Sequence, residues 1–146
     1  MSTKENNLKE KFKIALTSTA KVISDNFELE KKFSDNRKSK EIDTIEIDSL
    51  TNPSDFIKLR AETDSKALKK KFSDNLIYRK NLPSNTSSKS LYNIAEKIRC
   101  EALGGKMLKG IEKNFIKNYS QIINRKRKDQ LKTKEDVPVL EAFELS

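Results

Sequence analysis

The sequence predicts a mainly α-helical fold with a small β-hairpin, an α+β arrangement in which helices dominate. Three observations lead there. Apolar residues recur at helical spacing in several long segments, most clearly from Leu91 to Ala102. Two short stretches around residues 27–33 and 44–48 instead alternate apolar with polar or charged residues, as half-buried strands do. At 146 residues one domain is the default, and 34% hydrophobic against 36% charged is a lean supply of core material.

The first helix spans residues 8–23, where Leu8, Phe12, Ala15, Leu16, Thr19 and Ile23 recur with lysines opposite. Ser24-Asp25-Asn26 breaks it. Phe27, Leu29 and Phe33 form the first candidate strand and Ile45 and Ile47 the second, with polar 34–40 as the turn. Such a hairpin is not stable alone and has to pack on the helices. Asn52-Pro53 signals the start of a second helix, because proline is favoured at the first helical position. This helix runs to about Phe72, and Ser73-Asp74-Asn75 interrupts it. Leu76-Ile77-Tyr78 begins a short helical turn that Leu82-Pro83 stops, and the loop 84–88 holds the N-cap of the next helix.

That next helix is the most informative part of the chain. Leu91, Ile94, Ala95, Ile98 and Ala102 form one apolar stripe. Glu96, Arg99 and Glu101 form a polar group beside it. Glu96 pairs with Arg99 at three apart, and Lys97 with Glu101 at four apart. Gly104 and Gly105 are expected to end the helix in a left-handed cap. Leu108, Ile111, Phe115, Tyr119 and Ile122 carry a further helix, with Arg125-Lys-Arg-Lys128 at or past its end. Residues 1–128 are thus expected to form a helical domain. Residues 129–146 read as a linker or a truncated following element, with Val139–Phe143 starting that element.

The formal charge of +9 admits nucleic acid, an acidic membrane surface or an acidic protein as partner. Arginine, the better phosphate reader, is scarce beside lysine, and the stacking aromatics of single-strand binders are missing. A solvated lysine surface is the plainer reading, for Arg125–Lys128 as for the whole. With no histidine and one cysteine, histidine-dependent nucleophilic catalysis is excluded and carboxylates alone remain as metal ligands. There is no phosphate-cradling glycine loop. Cys100 reads as a small helix residue, and a lone cysteine fits a reducing compartment. Arg60 and Asp64, four apart, can pair on the second helix. No apolar run reaches the length of a membrane span and the N-terminus has no signal region, so a cytoplasmic location is expected.

Residues 95–115 read Ala-Glu-Lys-Ile-Arg-Cys-Glu-Ala-Leu-Gly-Gly-Lys-Met-Leu-Lys-Gly-Ile-Glu-Lys-Asn-Phe. This wording resembles the pattern E-x-x-R-x-E-A-[IL]-G-x-x-x-M-x-G-[IV]-x-x-N-[LF] of the CobT subunit of the aerobic, ATP-dependent cobaltochelatase. Glu96, Arg99, Glu101, Ala102, Gly104, Gly110 and Asn114 match, and Met107 lies close to that family's methionine. Arg60-Ala-Glu-Thr-Asp-Ser-Lys-Ala-Leu68 resembles the family's R-G-x-A-D-x-x-A-L segment. Ser73-Asp74 and Leu82-Pro83 sit where the family tends to have H-D and a proline. The chain departs from the pattern in having no histidine. It also stops at residue 146, where that subunit continues into an acidic linker and a metal-binding von Willebrand A-type domain.

The resemblance implies a cytoplasmic subunit of a nitrogen–metal bond-forming ligase. Such a complex inserts cobalt into hydrogenobyrinic acid a,c-diamide during aerobic cobalamin biosynthesis. The complex uses ATP, Mg and cobalt. In that family the CobN large subunit is thought to hold the corrin and the cobalt, and the AAA+ CobS subunit hydrolyses ATP and associates with CobT. This chain is then expected to have no active site and to bind no cofactor, metal, membrane or nucleic acid. Arg60, Asp64, Glu96, Arg99, Glu101 and Asn114 would be interface or structural residues. The alternative reading is a small basic helical domain that binds nucleic acid.

Overall fold

The computed structural model describes residues 3–25, 52–128 and 139–145. Their regular structure consists of six helices: α1 (Thr3–Ser24), α2 (Pro53–Phe72), α3 (Asn75–Lys80), α4 (Thr86–Met107), α5 (Lys109–Lys128) and α6 (Val139–Leu145). The expected fold class therefore needs correction. Among the described residues there is no strand, and the chain is helical where it was expected to be α+β. The segments assigned to the hairpin, 27–33 and 44–48, lie outside the described residues. The alternation behind that assignment was weak, since Leu29 and Phe33 stand four apart and Glu28, Glu30, Lys31 and Lys32 have poor strand propensity. The expected linker 129–137 also lies outside the described residues.

The chain divides into two compact units, Met1–Lys71 and Phe72–Ser146. In the first, α1 buries Leu16, Ala20 and Ile23, and α2 buries Ala61, Asp64, Ala67 and Leu68. The expected stripe on α1 is rotated, for Leu8 is 70% exposed and Ala15 is exposed. The Phe12 ring meets the Phe56 ring edge-on at 4.9 Å, and Lys71 pairs with Asp25. These two contacts advance in the same direction along both helices, so α1 and α2 point the same way. Thr17, Thr19, Ser24 and Thr63 donate their hydroxyls to carbonyls four residues earlier, which satisfies groups that otherwise compete with the helix. Asp25 adopts φ 53° just past α1, and aspartate is one of the few residues other than glycine that tolerates this. At the head of α2, the Asp55 carboxylate accepts from Asn52 N at 3.1 Å, and Asp55 N donates to Asn52 O at 3.0 Å. This is half of a capping box, with Pro53 at the first helical position.

The second unit begins with two capped starts. Asp74 Oδ1 accepts from Leu76 N and Ile77 N at the head of α3, and Asn85 Oδ1 accepts from Ser87 N and Ser88 N at the head of α4. Each satisfies amide donors that the helix leaves open. Tyr78 of α3 stacks at 5.3 Å from the Tyr92 ring of α4 and donates its hydroxyl to Asn93. Helices α4 and α5 form an αα-hairpin whose turn is the single residue Leu108, with its N–H bonded to Gly104 O at 2.8 Å. Gly105 lies opposite Glu112 and Glu101 opposite Tyr119, so the two helices are antiparallel. Cys100, Gly104, Ile111 and Phe115 are buried in this unit. Helix α6 packs on α4.

The role expected of Gly104 and Gly105 is corrected. Both are buried inside α4, the helix continues to Met107, and no described glycine has positive φ. A Cβ on Gly105 would stand 3.5 Å from Glu112 Cβ. This glycine therefore lies inside the hairpin facing α5, where a methyl group would make ordinary contact, and does not serve as a cap. No described helix is long and apolar enough to cross a membrane.

Candidate interface on the long helix

Helix α4 sets Glu96 and Arg99 one turn apart, on the same side. Arg99 Nε donates to Glu96 Oε2 at 2.7 Å and Nη2 donates to Oε1 at 2.8 Å, a two-pronged fork. The same Nη2 donates to the backbone carbonyl of Phe72 at 2.8 Å. That contact ties α4 to the start of the second unit. Buried Cys100 lies beneath, its Sγ 3.7 Å from Nη2 and 3.9 Å from Glu96 Oε1. The hydrogen bonds to Glu96, against a smaller opposing effect of burial, hold the Arg99 guanidinium above the ordinary arginine value. It is a permanent cation, with 47% of its side chain exposed. Such a pair holds a shape and offers donors to a partner. It does not pass protons.

Glu101 belongs to a different cluster. Its Oε2 accepts from the Tyr119 hydroxyl at 2.8 Å, and the residue is buried. The expected Lys97–Glu101 pair is not what the geometry gives, because Lys97 pairs with Glu144 of α6 and its Nζ lies 5.7 Å from the Tyr119 ring centroid. Burial first, and then the Glu101 carboxylate, push the Tyr119 hydroxyl well above the ordinary tyrosine value. The hydroxyl therefore remains a donor, and the four side chains join α4, α5 and α6.

The structure thus brings Glu96 and Arg99 together and assigns Glu101 elsewhere. Arg60 and Asp64 pair on α2 in the first unit, Nε to Oδ2 at 3.1 Å, with Asp64 fully buried. Asn114 is half-buried on α5. Sequence reasoning missed the polar roles of Tyr119, Lys97 and Glu144. Tyr119 registered only as one apolar position of α5, and Glu144 lies 47 residues from Lys97, beyond any local spacing rule. Among the described residues no three His, Cys, Asp or Glu side chains are grouped to hold a metal ion.

No curated protein and no solved structure matches the chain. The family model of the cobalamin biosynthesis protein CobT matches residues 6–146. That match runs over nearly the whole chain and takes in the α4–α5 hairpin, where the fork and the buried glycines lie. The chain belongs to the CobT family of cobalamin biosynthesis proteins.

Proposed function

We propose that this chain is a non-catalytic subunit of an aerobic, ATP-dependent cobaltochelatase. In this reading it supports insertion of cobalt into hydrogenobyrinic acid a,c-diamide. The observation that carries the reading is the family match over residues 6–146. The sequence is compatible with it, since the chain has no histidine, and Asp64, Asp74, Glu96 and Glu101 are engaged in ion pairs, a helix cap and a tyrosine hydrogen bond. Cobalt, as substrate, and ATP with Mg are then handled by the CobN and CobS subunits. The part played by this chain is mechanical. The α4–α5 hairpin is fixed by its buried glycines and by the Glu101–Tyr119 bond, and it presents the Arg99 fork to the AAA+ CobS subunit in the cytoplasm.

The test is reconstitution. Purified CobN and CobS are supplied with ATP, Mg, cobalt and the corrin diamide, with and without this chain. Cobalt insertion is followed by the change in corrin absorbance, and association by pull-down on CobS. Insertion should depend on the chain, and the chain alone should hydrolyse no ATP. Insertion that proceeds at the same rate without it, or ATP turnover by the chain alone, overturns the reading.

A further inference from the structure

The outer face of α5 has a charge pattern that the helix does not need for its own stability. The helix carries seven lysines and arginines against one acid, Glu112. Lys109, Lys113 and Lys117 recur every fourth residue, all exposed, and rise along the helix by about 6 Å each. Ile111 and Phe115, on the opposite side, are the buried residues. Some lysines elsewhere have acidic partners, as in Lys58–Glu62, Lys71–Asp25 and Lys97–Glu144. Within the stripe Lys109 has one, Glu112 at 3.0 Å. Among the described residues Lys113 and Lys117 form no ion pair.

This arrangement is unfavourable for an isolated helix in two ways. Like charges four apart repel. Lysines in the first two turns also stand at the positive pole of the helix dipole, where carboxylates are preferred. Beside the stripe, one turn beyond Lys113, lies Ile116, which is 60% exposed.

We infer that this face docks an acidic amphipathic helix of a protein partner. Carboxylates repeating every fourth residue on such a helix have the same spacing of about 6 Å as the lysines. An apolar side chain between them covers Ile116. A nucleic acid fits less well, since the stripe is lysine and not the bidentate arginine that suits phosphate. Its exposed face also has no aromatic ring to stack a base and holds an isoleucine that a phosphate backbone leaves uncovered. The inference does not rest on the cobaltochelatase reading.

The experiment titrates the full chain with a labelled synthetic helical peptide bearing Glu at successive i and i+4 positions and Leu between them. A Leu-free peptide of equal charge and a duplex DNA serve as the other arms. The Leu-containing peptide should bind tightest. Lys113→Glu with Lys117→Glu should weaken it by about tenfold or more, as expected for reversing two charges. Ile116→Ser should weaken the Leu-containing peptide and leave the Leu-free one unchanged. The charge-reversed chain should also melt at or above the wild-type temperature, because the change at 113 turns its repulsion with Lys109 into attraction and puts carboxylates nearer the positive pole of the helix. If it does not fold, Lys113→Gln with Lys117→Gln gives the same reading through a smaller loss. Absence of peptide binding, binding that ignores the lysine substitutions, or DNA binding tighter than peptide binding with no effect of Ile116→Ser would each overturn the proposal.

Discussion

On α2, Arg60 reaches Asp64 across one helical turn, and the Asp64 side chain has no exposed surface. On α4, Arg99 reaches back to Glu96 across a similar interval, with 47% of the arginine and 13% of the glutamate side chain in solvent, against 29% and none for Arg60 and Asp64. The second pair has the better geometry, a two-pronged fork at 2.7 and 2.8 Å, against a single bond at 3.1 Å in the first. Geometry is nevertheless the smaller influence on stability. A carboxylate withdrawn from water depends on its partner, while one near solvent can exchange the partner for water. The α2 pair is therefore a structural element of the first unit, and the α4 pair is a surface feature suited to recognition.

The largest expected effect follows from this contrast. Arg60→Ala strips the buried Asp64 carboxylate of its arginine and should destabilise by about 3 kcal/mol. Asp64→Asn in the same background removes the charge itself and should recover part of the loss. Urea unfolding of both single variants and the double variant measures the coupling between the two residues. An Arg60→Ala loss under about 1 kcal/mol, the exposed-pair value, would erase the difference between the two helices.

Most of the helical frame was legible in the sequence because helix starts are written locally. Pro53, Asp74 and Asn85 each act within three residues of themselves, and each marks a helix start where the sequence put one. The exceptions all depend on what lies across a contact. A glycine pair reads the same whether it turns the chain or sits inside a packed helix, and only the burial of both within α4, with no positive φ, distinguishes the two. Glu101 read as part of the Glu96–Arg99 group because helix spacing places them near each other. Tyr119, 18 residues further along, turns it into a separate buried contact. Ala95 and Ala102 are exposed while Cys100 and Glu101 are buried. A hydrophobic stripe counted on one helix cannot register that shift.

Tyr119 lies between the two extremes, a neutral hydroxyl serving a buried carboxylate. Tyr119→Phe leaves Glu101 one donor short and should destabilise by about 1–2 kcal/mol, less than Arg60→Ala and more than any change at Arg99. Its pH dependence sharpens the assignment. The folded-state value of this hydroxyl is raised by burial and by Glu101. Its contribution is therefore fully present below the ordinary tyrosine value of about 10 and is lost as pH rises beyond it. In that range the unfolded chain releases the proton and the folded chain keeps it. Wild type should thus lose stability more steeply above about pH 10 than Tyr119→Phe, and the two curves should converge. Parallel curves through that range would mean that the hydroxyl is not held by Glu101.

Arg99→Ala should have the smallest effect on folding. It removes the fork to Glu96 and the bond to Phe72 O, but Glu96 keeps some solvent access and water replaces the guanidinium. The expected loss is under about 1 kcal/mol after screening. The control has to be chosen with care, since Lys97 pairs with Glu144 and lies over the Tyr119 ring, so its removal disturbs a second cluster. Lys89, exposed on the first turn of α4, is the neutral comparison. Thermal melts of wild type, Lys89→Ala and Arg99→Ala should fall close together, while CobS retention in a pull-down should drop for Arg99→Ala alone. A stability loss above about 2 kcal/mol would place the fork with the buried pair of α2. Equal CobS retention by all three proteins would leave Arg99 a solvated helix residue with no part in assembly.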